Sequence, residues 1–81
     1  MAENMRQTRL AVGVRAALKA LEKDKAQKVY LALDAEGRIL RPLKDALATK
    51  SIDIVEVATM AELGRICRVE VKVAAAAVLK Q

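Results

Sequence analysis

Apolar residues recur along this chain at two alternating spacings. Leu10-Ala11-Val12 is a short apolar run stopped by Gly13, and beyond it Val14, Ala17, Leu18 and Leu21 recur at i, i+3, i+4 and i+7. That pattern predicts a short strand turning into an amphipathic helix. Val29 to Leu33 is a continuous apolar run with β-branched and aromatic members, closed by Asp34, Glu36 and Gly37, and reads as a strand buried on both faces. Pro42 then suits the first turn of a helix whose stripe is Leu43, Ala46 and Leu47, running through Lys50. Ile52, Ile54, Val55 and Val57 supply a third strand.

Thr59-Met60-Ala61-Glu62 has the threonine-to-glutamate spacing of a capping box and predicts a helix from about Met60 to Cys67. After a loop from Arg68 to Lys72, the segment Val73 to Leu79 is wholly apolar. Its four consecutive alanines could propagate a helix, but seven residues with valines on either side favour a narrow central strand. Strands alternating with helices imply a layered α/β sandwich. Length supports one domain over residues 1–81: a chain of 81 residues buries roughly 60% of its unfolded surface, enough for one modest core.

Charge changes the picture more than composition does. Fifteen Lys and Arg against ten Asp and Glu give +5, which favours polyanionic partners. The distribution is uneven, because Arg6, Arg9, Arg15, Lys19, Lys23, Lys25 and Lys28 face only Glu22 and Asp24 over the same stretch. On the predicted first helix Arg15, Lys19 and Lys23 fall four residues apart and form one column on the solvent side.

Much chemistry is missing. Histidine is absent, Ser51 is the only serine, and the single cysteine, Cys67, takes an apolar helix position, so no nucleophile and base constellation can be assembled. A lone cysteine also excludes an internal disulfide and suits a small hydrophobe in a reducing cytoplasm. Asp34 and Glu36 read as solvated turn carboxylates, with no third group nearby to complete a metal site. The dinucleotide and Walker glycine patterns are absent around Gly13. Tyr30, the only aromatic, lies inside a predicted strand, which removes base stacking on aromatic platforms. The first residues, MAENMRQTR, have no apolar core of a signal peptide, and the apolar run from Val73 to Leu79 is too short to span a bilayer. Neither secretion nor a membrane is expected.

One loop stands apart from this inventory. Val69-Glu70-Val71 follows a basic helix end, with Arg65, Arg68 and Lys72 around it. Two valines in a loop suggest that something flat covers them, with the cations holding phosphate and the valines packing on bases. The alternative is that the pair closes an edge of the core. Gly64 fits close helix packing better than ligand contact.

With these segments in place the chain resembles the kink-turn-binding ribosomal protein family of the seven-Ae and thirty-e type, most closely its small bacterial branch. LGRICRVEVKVAAAA, from Leu63, is similar to the helix, apolar recognition loop and last strand of that family, and VYLALD, from Val29, to its second strand and acidic end. The family's first helix opens with glycine, one residue, Asn-Glu, two residues and lysine. Gly13 and Lys19 match that pattern, while Arg15-Ala16 replaces Asn-Glu.

The resemblance implies a three-layer α/β/α sandwich with a small mixed four-stranded sheet, and a non-enzymatic, cytoplasmic RNA-binding protein acting as a monomer without cofactor or metal. Its partner is a structured RNA holding a kink-turn, ribosomal or regulatory. The RNA contacts it implies are Gly13, Val14, Arg15, Ala16 and Lys19 from the helix that meets tandem sheared G·A pairs, and Arg65, Arg68, Val69, Glu70 and Val71 from the loop that covers an extruded base. Ala16 reads nothing and Arg15 donates but cannot accept, so discrimination would rest more on shape and on Lys19. The competing reading is a protein-interaction module on the same fold whose basic face meets an acidic partner.

Overall fold

The computed structural model describes residues 9–80, so Arg6 lies outside the described residues. The elements follow in the order β1 (Leu10–Val12), α1 (Val14–Glu22), β2 (Ala26–Ala32), α2 (Gly37–Leu47), β3 (Asp53–Val57), α3 (Met60–Ile66) and β4 (Ala75–Leu79). The four strands form one mixed sheet in the order β1-β4-β2-β3. β4 is antiparallel to both of its neighbours, and β2 and β3 are parallel. This is the layered α/β sandwich that the alternation of spacings predicts, in the α/β/α form with a mixed four-stranded sheet that the resemblance implies.

Each sheet face owns a separate core. Ala17, Ala20 and Leu21 of α1 and Leu40, Leu43 and Leu47 of α2 pack on Val29, Leu31, Ala75 and Ala77. On the other face Leu63 of α3, with Cys67 just beyond the helix, packs on Ala32, Val57 and Ala76. The alternation is the strand period of two: Ala75 and Ala77 look one way and Ala76 the other. All three are fully buried. The alanine run is therefore a narrow central strand, as expected, with hydrogen-bonded neighbours on both sides and helices on both faces.

Three expected boundaries shift. α2 begins at Gly37, and Pro42 sits in its sixth position instead of its first turn. The stripe that decides its extent is Leu40, Leu43 and Leu47, whose i, i+3, i+7 spacing starts before the proline. Pro42 is exposed, so the Arg38 carbonyl that it leaves without an intrahelical donor lies on the solvent face.

β2 covers Ala26–Ala32, with a pairing irregularity between Ala26 and Lys28, where the expected strand ran from Val29 to Leu33. It is not buried throughout: Tyr30 is half-buried, because α3 has only seven residues and covers part of its face. Leu33, past the strand end, is 60% exposed.

β4 starts at Ala75 instead of Val73. The Val73 amide turns to donate to the Met60 carbonyl of α3 (3.1 Å), which takes that residue out of the strand ladder.

Because β4 is packed on both faces, extra volume there has nowhere to go. Ala77→Val raises intrinsic strand preference by less than about 1 kcal/mol, whereas two added methyl groups in a filled core cost about 1 to 3 kcal/mol. Net destabilisation is expected, read as a lower urea midpoint at unchanged slope.

Candidate nucleic-acid interface

The C-terminal ends of β1, β2 and β3 and the start of β4 lie at one end of the sheet, as their pairing directions require. Two backbone bonds show how that end is laced together. The Gly13 amide donates to the Ala75 carbonyl (2.8 Å), and the Ala32 amide to the Ala74 carbonyl (3.0 Å). The start of α1, the turn after β2 and the loop leading into β4 are thereby brought to one surface.

Gly13 has φ 103° and ψ 158°, a region open in practice to glycine alone. A Cβ added there would meet nothing within 4 Å, so backbone conformation and not packing calls for glycine. The space above it is open to a ligand. α1 carries no side-chain cap and no acidic residue in its first turn, so the amides at its start keep their positive partial charge.

Arg15 and Lys19 are exposed on this helix and lie one turn apart. Val14 points inward and packs against the α1/α2 core, and Ala16 is half-buried. The expected column of three cations divides by position. Arg15 is at the glycine end, whereas Lys23 caps the far end of the helix.

The loop owes its shape to the end of α3. The Arg68 amide donates to the Arg65 carbonyl (3.1 Å) and the Val69 amide to the Gly64 carbonyl (3.0 Å). These are the paired bonds of a Schellman turn. The residue that must be left-handed in it is Arg68, with φ 61°.

Gly64 then lets the loop lie close: a Cβ added there would stand 2.3 Å from the Val71 carbonyl oxygen. It serves packing, as its sequence position suggested. Thr59 caps α3 by accepting from the Glu62 amide (3.0 Å), which is one half of the capping box. The Met60 amide is taken by the Asp34 carboxylate (2.8 Å), so Asp34 is a structural acceptor and not merely a solvated turn residue.

The two loop valines part company. Val69 is half-buried against the α3 core, while Val71 is 67% exposed. Ala61, Arg65, Val69, Glu70, Val71 and Lys72 line a shallow concavity of about 290 Å³. Arg65, Arg68, Glu70 and Lys72 are all exposed. Neither ion pair found among the described residues, Arg38 with Glu36 and Lys80 with Asp24, engages Arg15, Lys19, Arg65, Arg68 or Lys72.

Sequence reasoning missed Leu33 as an exposed apolar residue at this end, and it missed the bond made by Asp34. The signal for Leu33 was its place as the last apolar residue before an acidic turn. No local signal marks the Asp34 bond. Burial raises the Cys67 thiol above its ordinary pKa, which keeps it protonated and unreactive.

A non-glycine residue in the left-handed region costs roughly 1 to 2 kcal/mol. Arg68→Gly is therefore expected to stabilise the fold by about 1 kcal/mol, seen as a higher thermal midpoint. A lower midpoint would mean that the arginine side chain adds more to folding than its backbone loses.

The family model of the ribosomal protein L7Ae/L30e/S12e/Gadd45 family matches residues 1–81. An RNA-binding protein of Caldanaerobacter subterraneus subsp. tengcongensis is 44% identical over 66 residues, which cover 82% of this chain and 80% of that one. An RNA-binding protein of Halalkalibacterium halodurans is 36% identical over 73 residues, covering 90% and 89%. Among solved structures, the 15.5kD RNA binding protein of Giardia lamblia superposes with a TM-score of 0.81 at 32% identity. That match covers 89% of this chain and 61% of the Giardia chain. With the family match covering residues 1–81, the chain belongs to the ribosomal protein L7Ae/L30e/S12e/Gadd45 family.

Proposed function

We propose that this protein binds RNA and that its target is a kink-turn in ribosomal or regulatory RNA, met by a cytoplasmic monomer through the surface around Gly13 and the Val69–Val71 loop. The observation that carries this reading is the convergence of two unlike features on the first residues of β4. One is a glycine-opened, uncapped helix start bonded to Ala75. The other is an exposed valine, Val71, in a concavity shared with Arg65, Glu70 and Lys72. An apolar spot flanked by two unpaired cations suits a base with its phosphates better than it suits an acidic peptide, which offers charge but no flat apolar face. The relatives that carry the name RNA-binding protein support the same reading.

The mechanism is one of charge and shape. A sharp kink crowds the phosphates of two helical arms, and nearby protein cations lower the cost of that repulsion. The positive end of α1 adds to this, and Gly13 lets the backbone come close because no Cβ stands in the way. Arg15 and Lys19 reach outward from the same helix, Lys19 as the family-like lysine. Val71 covers an extruded base, while Val69 braces the loop from beneath. If four or five of the cations Arg15, Lys19, Arg65, Arg68 and Lys72 meet phosphates, the logarithm of affinity falls against the logarithm of salt with a slope of about −4. The test is a gel-shift titration against a kink-turn RNA and a control whose sheared G·A pairs are replaced. Equal affinity for both would overturn the kink-turn assignment.

Lys19→Ala is expected to weaken binding by about 1 to 3 kcal/mol if its ammonium meets base edges, and by less with a shallower salt slope if it meets phosphate alone. Unchanged affinity at fixed salt would remove Lys19 from the interface.

The two valines give a paired test. Val71→Asp is expected to leave the thermal midpoint nearly unchanged while binding drops at least about tenfold, because a carboxylate repels phosphate and cannot pack on a base. Val69→Asp places a charge against the α3 core and is expected to lower the midpoint as well. A stable Val71→Asp variant that binds normally would remove the loop from the surface.

A further inference from the structure

One bond at this surface connects segments far apart in the chain. The Met60 backbone is engaged on both sides. Its amide donates to Asp34 Oδ1 at 2.8 Å, across 26 positions, and its carbonyl accepts from the Val73 amide at 3.1 Å. Asp34 stands in the turn after β2, and Val73 ends the Val69–Val71 loop. The backbone of one residue thus ties the β2 turn, the start of α3 and the end of the loop.

The other side of the loop is held by the Val69 amide on the Gly64 carbonyl (3.0 Å) and by the close seat of the Val71 backbone on Gly64. α3 is only seven residues long, so a shift at its first peptide reaches its last turn. Two acceptors hold that start, Thr59 and Asp34, and they differ in reach. Thr59 holds the helix to its own leading residue, whereas Asp34 fastens it to the sheet.

We propose that Asp34 is a positioning residue for RNA recognition. Through the Met60 peptide it fixes the height and tilt of α3 on the sheet, and with them the place at which the Val69–Val71 loop presents Val71. The proposal rests on the loop being an RNA contact. Its sign is unusual. Asp34 is an exposed anion at a basic surface, so by charge alone its removal should tighten RNA binding. As a positioning group its removal should weaken binding. The isosteric amide of Asn keeps an acceptor oxygen for the Met60 amide, and so should retain most of the function although the charge is gone.

The experiment compares Asp34→Ala, Asp34→Asn and Thr59→Ala in gel-shift titrations against a kink-turn RNA hairpin and its G·A-replaced control. Binding is measured well below each variant's thermal midpoint. Amide hydrogen exchange of the free proteins is followed at Val69 and Val73.

Asp34→Ala is expected to bind about tenfold more weakly, the scale of losing one hydrogen bond to a charged acceptor. The salt slope should stay unchanged, and exchange at Val69 and Val73 should quicken. Asp34→Asn is expected within about threefold of the native chain. Thr59→Ala, which weakens the same helix without freeing it from the sheet, should lose stability but keep its affinity and slow loop exchange. Equal losses of affinity in the Asp34→Ala and Thr59→Ala variants would reduce Asp34 to a cap, and normal or tighter binding by Asp34→Ala would overturn the proposal outright. Should the native chain not distinguish the two RNAs, the kink-turn reading fails on its own. The exchange comparison then still decides whether Asp34 holds the loop, and unchanged exchange at Val73 in Asp34→Ala would refute it.

Discussion

The burial of β4 between two strands and two helical layers is the constraint on which the rest of this protein depends. Ala75, Ala76 and Ala77 expose nothing to solvent, and each is small enough for a helix to close on it from one face. A larger side chain on either face would push the helical layer on that face away from the sheet, and that core would lose contact. The same strand is also the reference line for the surface at its start. Gly13 bonds to Ala75, Ala32 bonds to Ala74, and Val73 bonds back to α3. Every segment of the candidate interface is hung from three consecutive residues.

Hanging loops from a rigid strand is how a small domain makes a precise surface without aromatic platforms or a deep pocket. There is a single tyrosine to spend, and it lies half-buried inside β2. What remains is backbone geometry and charge. The open space above Gly13, the close seat of the loop on Gly64 and the left-handed turn at Arg68 are backbone features. The cations around them are long, exposed and unpaired among the described residues. Under the proposed function, an apolar point among exposed charges separates the tasks: charge brings a polyanion near, and shape decides whether it fits.

Arg68 shows where local preference and surface role disagree. A Schellman turn asks for glycine at this position, and the chain places an arginine there in the left-handed region. The turn thus holds roughly 1 to 2 kcal/mol of backbone strain at an exposed cation. Asp24 adopts the same left-handed conformation at the end of α1, where its carboxylate meets Lys80 at 3.4 Å. A short polar side chain tolerates that region more readily than a long one does, which makes Arg68 the more telling of the two.

The order and kind of the elements were legible in the chain because they rest on local periodicity: the i, i+3, i+4 stripe of α1, the alternation of β3, and the Thr59 cap of α3 each need only a few neighbouring residues. The Gly13 break and the close-packing reading of Gly64 were legible for the same reason, since glycine marks a backbone conformation (Gly13) or a close approach (Gly64) that other residues take poorly. The start of α2 was misplaced because Pro42 is a strong local signal, and only the sheet beneath could show that Leu40 already belonged to the buried stripe. The two valines of the loop look alike in sequence. Which one faces the core was decided by the Schellman turn at Arg68 and the seat on Gly64, which together set the direction of the chain. The Asp34 bond to Met60 was out of reach for any local rule, because only the parallel pairing of β2 and β3 brings residues 26 positions apart to one end of the sheet. Short-range spacing thus determined which elements form, and long-range pairing alone decided which side chains of the loops and turns meet and which face outward.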